Sequence, residues 1–317
     1  MAEQRINIIV DKIKHNVSSV IVGKEKIIEY LISAIIAKGH VLLEDVPGTG
    51  KTMMAKTLAK SIGMDFGRIQ FTPDLLPSDV TGLNVFDQKA GEFKFHPGAV
   101  FCNILLADEI NRATPRTQSS LLECMEEGQI TVDGVTRNLD RPFFVIATQN
   151  PIETAGTFPL PEAQMDRFLM QLSLGLPTPD EEKEIMKRFI DNNPFEQLES
   201  VVSKEEIVFL QEMYRKIYVH ELLIDYIQRI AEATRHQATV AIGVSPRGTL
   251  ALLRAVQAYA MINDREYVIP EDIKELAVPV LAHRLVLHGG HGLSSETKKI
   301  MKNILDSVEV PTEKWER

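Results

Sequence analysis

With 317 residues, 44% of them hydrophobic and 25% charged, the sequence has ordinary globular usage, which excludes wholesale disorder, collagen-like repeats and a disulfide scaffold. The formal net charge is −9, and the two halves about Pro177 are both acidic, at −4 and −5. Neither half carries the basic excess on which general nucleic-acid or anionic-membrane binding draws.

In chain order, Val10 to Val17 and Lys24 to Ala37 have helical spacing. His40–Glu44 is a short apolar strand that stops at Pro47-Gly48-Thr49-Gly50, and a helical pattern runs from Lys51 to about Ile62. Gly67–Phe71, Ile104–Ala107, Phe143–Thr148 and Leu169–Leu174 read as further strands. Strands without a polar face, separated by helices, predict a parallel sheet covered on both sides. Two stretches interrupt this rhythm as hairpins: Asn84–His96, turning near Ala90-Gly91, and Gln129–Asp140, turning at Asp133-Gly134. After Pro177 the pattern becomes helical. Thr178-Pro179 with three following acids, Ser203-Lys204-Glu205-Glu206, Ser245-Pro246 and Pro270-Glu271-Asp272 all read as helix starts. The division expected is residues 1–177, an α/β core, and 178–317, an all-helical second domain whose last residues fray.

Cys102 and Cys124 read as buried, reduced thiols. The N-terminus is broken up by charges and no apolar run reaches membrane-span length, so a cytoplasmic chain without membrane insertion is expected.

The chemistry concentrates in three places. Asp45-Val46-Pro47-Gly48-Thr49-Gly50-Lys51-Thr52 lies between a strand and a helix, as a phosphate-binding loop requires. Glycines let successive N–H groups turn toward phosphate oxygens, and the helix N-terminus adds its positive dipole end. Lys51 is placed to reach the β- and γ-phosphates, and Thr52 to ligate Mg²⁺. The strict G-x-x-x-x-G-K-[ST] pattern is not met, since Asp45 stands where its first glycine belongs. Aspartate tolerates left-handed backbone angles better than most residues, which would preserve the turn. Ile104–Ala107 ends in Asp108-Glu109, an apolar strand followed by a metal-holding acid and a general base. Asn150 follows the strand FFVIATQ, where the carboxyl ends of adjacent strands face one crevice; it either orients the attacking water or simply begins an Asn-Pro turn.

Together these segments resemble an AAA+ ATPase. FPLPEAQMDRF (Phe158–Phe168), EINRATPRTQSSLLECMEE (Glu109–Glu127) and GVSPRGTLALLRAVQAYA (Gly243–Ala260) resemble the MoxR family in particular. The two hairpins resemble inserts shared by MoxR proteins, magnesium chelatase ATPase subunits and MCM helicases. The resemblance implies a five-stranded αβα core, a helical lid and a homo-oligomeric ring, usually a hexamer. It implies ATP with Mg²⁺, and Val22-Gly23 against the adenine. It also implies Arg167 as an arginine finger toward a neighbouring subunit and Arg247 as the lid's sensor. Arg112 and Arg116 compete with Arg167 for the finger role. Independently, Ser245-Pro246 places Arg247 in a first helical turn, where a cation opposes the dipole and invites an anion.

The function expected is Mg²⁺-dependent ATP hydrolysis coupled to chaperone-like remodelling of a client. The helper, often a von Willebrand factor A-domain protein, is a separate chain. The rivals are a nucleic-acid motor, for which only Lys89 and Lys94 in the first hairpin offer phosphate contacts, a metal-chelatase subunit, and a nucleotide-gated scaffold. His283, His288 and His291 have no acid or thiol at a completing spacing and read as solvated lid-loop residues.

Overall fold

The computed structural model describes residues 2–151, 156–190, 192–289 and 294–312. His291 and residues 313–317, expected to be solvated and frayed, lie outside these.

The chain opens with α1 (Ala2–Val20) and α2 (Glu25–Ile36), so the first helix begins well before the apolar spacing at Val10 announced it. Then follow β1 (Val41–Glu44), α3 (Lys51–Ser61), β2 (Phe66–Gln70) and a short α4 (Pro77–Thr81). The first hairpin is β3 (Gly82–Asp87) with β4 (Glu92–Pro97). Next come β5 (Ile104–Asp108), α5 (Pro115–Glu127) and the second hairpin, β6 (Gln129–Val132) with β7 (Val135–Asn138). At the turn of that hairpin, Asp133 and Gly134 both have positive φ, 51° and 76°, the twist that two-residue hairpin turns favour. β8 (Phe144–Gln149), α6 (Glu162–Met165) and β9 (Met170–Leu172) complete the core.

Five strands form one all-parallel sheet in the order β2-β5-β8-β1-β9. Alternate residues feed two apolar clusters. Leu43, Ile104, Leu106 and Ile146 point to the α1–α2–α3 side. Leu42, Leu105, Val145 and Ala147 point to the α5 side. Burial on both faces explains why these strands read as unbroken apolar runs.

Beyond Pro177 lie α7 (Pro179–Arg188), α8 (Lys204–Met213), α9 (Glu221–Arg235), β10 (Val240–Ile242), α10 (Pro246–Ile262), α11 (Pro270–Leu281), β11 (Val286–Leu287) and α12 (Ser294–Ser307). Both helix starts form as read, each with a capping box: Thr178 Oγ1 accepts from Glu181 N, and Ser203 Oγ from Glu206 N, each at 3.3 Å. Among its described residues the region is mostly helical, with an antiparallel β10–β11 ladder and an isolated bridge between Tyr218 and Tyr267. Strands of three and two residues are too short for an alternating pattern, so no strand was expected here. Residues of this region, among them Leu252, Ala255 and Leu276, share one apolar cluster with Ile13, Leu31 and Ile35 of α1 and α2.

His40, just before β1, is a buried pin. Its Nδ1 accepts from Val145 N at 3.0 Å, so Nε2 carries the proton and donates to Met125 O at 2.9 Å. Burial lowers its pKa to about 4. Both cysteines are free; Cys124 is buried, as expected, whereas Cys102 is only half-buried.

Candidate nucleotide site

The carboxyl ends of β1, β5 and β8 converge with the amino end of α3, the place where open parallel sheets hold ligands. A cleft of about 490 Å³ lies there, lined by Pro47, Gly48, Gly50, Lys51, Thr52, Asp108, Glu109 and Asn150, together with Met53, Lys56 and Arg68. Three segments singled out from separate parts of the sequence thus meet at one opening.

Gly48 and Gly50 have φ of 86° and 88°, and a Cβ at either would meet nothing within 4 Å. Their role is conformational: they turn the loop, and the space in front stays open for a ligand. Thr49 is buried beneath the loop, with its hydroxyl donating to Val46 O at 3.3 Å. Lys51 Nζ donates to the carbonyls of Asp45 and Val46, at 2.8 and 3.2 Å, which hold the ammonium over the loop.

Asp45 is not among the positive-φ residues, so left-handed tolerance is not its use. Its buried carboxylate instead accepts from Ser173 Oγ at 2.7 Å, Leu174 N at 2.8 Å and Gly175 N at 2.9 Å. The residue ties the loop's root to the chain leaving β9. No sequence spacing announces a partner 128 positions away.

Asp108 at the end of β5 and Glu109 just after it are held by residues of the neighbouring strands. Asp108 Oδ1 accepts from Thr148 Oγ1 at 2.6 Å, and its Oδ2 from Arg68 Nη2 at 2.8 Å. Glu109 is left-handed, with φ 55°, and its N–H donates to Thr148 Oγ1 at 2.9 Å. Its Oε2 accepts from Gln70 Nε2 at 2.7 Å and lies 3.0 Å from Arg112 Nε. Arg112 is therefore engaged beside Glu109, while Arg116 is exposed on the first turn of α5. Arg68, Gln70 and Thr148 escaped the sequence reading. Only the alternation on β2, with Arg68 and Gln70 on one face beside an acid-ended strand, hints at them.

Other expected site residues stand elsewhere. Val22 and Gly23 do not line the cleft. They occupy the α1–α2 corner, where a Cβ on Gly23 would collide with the Glu181 carboxylate of α7. Arg167 and Arg247 do not line it either. Both pair with Glu126, Arg167 Nε at 3.2 Å and Arg247 Nη2 at 2.8 Å. The anion invited by a cation in the first turn of α10 is, within this chain, a carboxylate.

In the first hairpin, Lys94 Nζ is paired with Asp87 Oδ2 at 2.6 Å, both side chains partly exposed. His283 is not a solvated loop residue: it is partly buried in a 3₁₀ turn, bonded to Phe168 O at 3.2 Å. His288 is exposed, and its N–H bonds to Thr239 O at 3.1 Å.

Residues 40–170 match the ATPase family associated with various cellular activities (AAA), and residues 232–304 match the AAA lid domain. The chain is 49% identical to the uncharacterized protein YeaC of Bacillus subtilis, over 98% of both chains. It is 44% identical to the chaperone MoxR1 of Mycobacterium tuberculosis, over 86% of this chain and 74% of that one. Against the protein MoxR of Paracoccus denitrificans the identity is 30%, over 85% and 86%. A crystal structure from Cytophaga hutchinsonii, of a chain assigned as an ATPase, superposes with a TM-score of 0.89 at 40% identity, covering 98% and 97%. A parallel five-stranded core with its glycine loop, a helical region behind it and relatives at this level of identity lead to one assignment: the chain belongs to the MoxR family of AAA+ ATPases.

Proposed function

We propose that this chain hydrolyses ATP as a ring of identical copies and uses the reaction to remodel a partner protein. The observation that carries the reading is the meeting of Lys51 and Thr52 with Asp108, Glu109 and Asn150 in one cleft at the strand ends. The loop N–H groups and Lys51 would take the charge of the β- and γ-phosphates. Glu109 would accept the proton of the attacking water, and Asn150 would orient that water or the γ-phosphate. Phosphoryl transfer asks little covalent chemistry of a protein, so placing and charge complementarity are most of the catalysis.

A hydroxyl and a carboxylate, Thr52 and Asp108, line the same cleft, an oxygen donor set that suits Mg²⁺. Held there by Thr52 and Asp108, the ion would offset the negative charge of the phosphates. Thr148 fixes the Asp108 carboxylate for that task. Val22 and Gly23 would lie toward the adenine.

Arg167 and Arg247, away from their own cleft, are assigned to a neighbouring copy's nucleotide, which makes turnover depend on assembly. The name of the Mycobacterium tuberculosis relative, a chaperone, supports the remodelling reading. The client, or a helper with a von Willebrand factor A domain, would be a separate protein, and the site of action the cytoplasm. The acidic balance of both halves of the sequence favours this reading over a nucleic-acid motor.

The test is the ATPase rate per chain against protein concentration, with light scattering on the same samples. The reading expects specific activity to climb as large particles appear. Flat activity from a monomer would overturn the ring mechanism for the isolated chain.

A further inference from the structure

Three guanidinium groups and two carboxylates converge away from the cleft. Glu126, in the last turn of α5, is the hub: Oε2 lies 3.2 Å from Arg167 Nε, and Oε1 accepts from Arg247 Nη2 at 2.8 Å. Asp166, the chain neighbour of Arg167, places Oδ2 3.8 Å from Arg247 Nε and Oδ1 2.9 Å from Arg284 Nε. The Arg284 side chain is 4% exposed and donates to Phe168 O at 2.9 Å and Val280 O at 2.7 Å. Gly248 gives it room, since a Cβ there would stand 3.0 Å from Arg284 Cδ. One end of the arrangement is therefore buried and fixed.

The other end is open and under-neutralised. The Arg167 and Arg247 side chains are 28% and 46% exposed. Two like charges drawn to one carboxylate repel each other, and that carboxylate offsets only one of them. Each guanidinium carries five N–H donors, more than a shared carboxylate can accept. Paired planar forks with donors to spare fit phosphate oxygens.

We infer that Glu126 is a positioning residue that gathers Arg167 and Arg247 into one two-pronged receptor. The anion it receives is the phosphate chain of a nucleotide held by a second copy of this chain. Glu126 touches no substrate. It keeps an arginine before β9 in register with one from α10, and Asp166 with Arg284 braces the pair from behind. The inference rests on the ring-hydrolysis reading.

The test uses assemblies mixed from full-length chains. Lys51→Ala chains, expected to bind ATP too weakly to turn it over appreciably, still present their arginines to a wild-type neighbour. Wild-type chains are mixed with an excess of Lys51→Ala, Lys51→Ala/Arg167→Ala or Lys51→Ala/Glu126→Ala chains, and ATP hydrolysis is read per wild-type site. Beside the Glu126→Ala neighbours, kcat should fall roughly tenfold or more relative to Lys51→Ala neighbours, with KM unchanged, because the phosphate charge loses its aligned donors. Glu126→Asp should restore part of the rate. At concentrations too dilute for assembly, where no neighbour's arginines reach the nucleotide, ATP affinity of the Glu126→Ala single variant should equal wild type. Undiminished kcat beside Glu126→Ala neighbours, where Arg167→Ala neighbours abolish it, overturns the role of Glu126 and leaves the ring reading standing. No loss beside either variant overturns both. Melting curves and light scattering accompany each variant, and Glu126→Gln replaces Glu126→Ala if the latter unfolds early.

Discussion

Gln70 donates its side-chain amide to Glu109 at 2.7 Å across the paired strands β2 and β5. With Arg112 at 3.0 Å from the same oxygen, the carboxylate is aimed before any water meets it. Glu109→Gln keeps the shape and removes the proton acceptor. It should bind ATP as wild type does and turn over at least about 100-fold more slowly. Equilibrium binding with single-turnover hydrolysis separates the two effects; wild-type turnover would take Glu109 out of the role.

Lys51→Ala should fail at binding. One charge-assisted contact to phosphate contributes about 1.5–3 kcal/mol, so ATP affinity should drop roughly 10- to 150-fold. Titration with a fluorescent ATP analogue reads this directly, and unchanged affinity would overturn the loop assignment.

Asp45→Gly restores the strict loop pattern yet should harm the fold. It deletes a carboxylate that holds Ser173, Leu174 and Gly175. Three bonds to a buried charge lost together should cost at least about 3 kcal/mol. Urea unfolding of the two proteins measures it; equal midpoints would mean that the carboxylate is dispensable.

His40 gives stability a pH dependence with a definite sign. Its folded pKa, about 4, lies below the ordinary 6.5. The unfolded chain therefore binds the proton first as pH falls. The contribution of the neutral ring is complete above about pH 6.5 and is lost as pH drops toward 4, by about 3 kcal/mol in all at 1.36 kcal/mol per unit. Unfolding midpoints across that range should slope less steeply for His40→Gln. Parallel slopes would mean that other groups carry the whole effect.

The parts legible in the sequence were those written in local spacing. Ile104–Ala107 with its two acids, the glycine loop before Lys51 and the Asp133-Gly134 turn each depend on residues a few positions apart. What stayed hidden depends on distance along the chain. Gln70 meets Glu109 across 39 positions, Arg247 meets Glu126 across 121, and Asp45 meets Gly175 across 130. A polar residue at a strand end or in a helical turn looks alike whether or not the fold brings it a partner. The β10–β11 ladder was hidden for a different reason: strands so short carry no period.

The apolar cluster that joins α1 and α2 to α10 and α11 also governs how heat takes the molecule apart. Separating Leu31 and Ile35 from Leu252 and Leu276 would wet both partners, at about 25 cal/mol for each Å² of apolar surface. The same cluster runs on into Leu43, Leu106 and Ile146 of the sheet, so among the described residues the apolar packing is continuous from the sheet to α10 and α11. A calorimetric trace should hold one peak, and any nucleotide-driven movement of the helices should be a slide over packed neighbours rather than a swing into water.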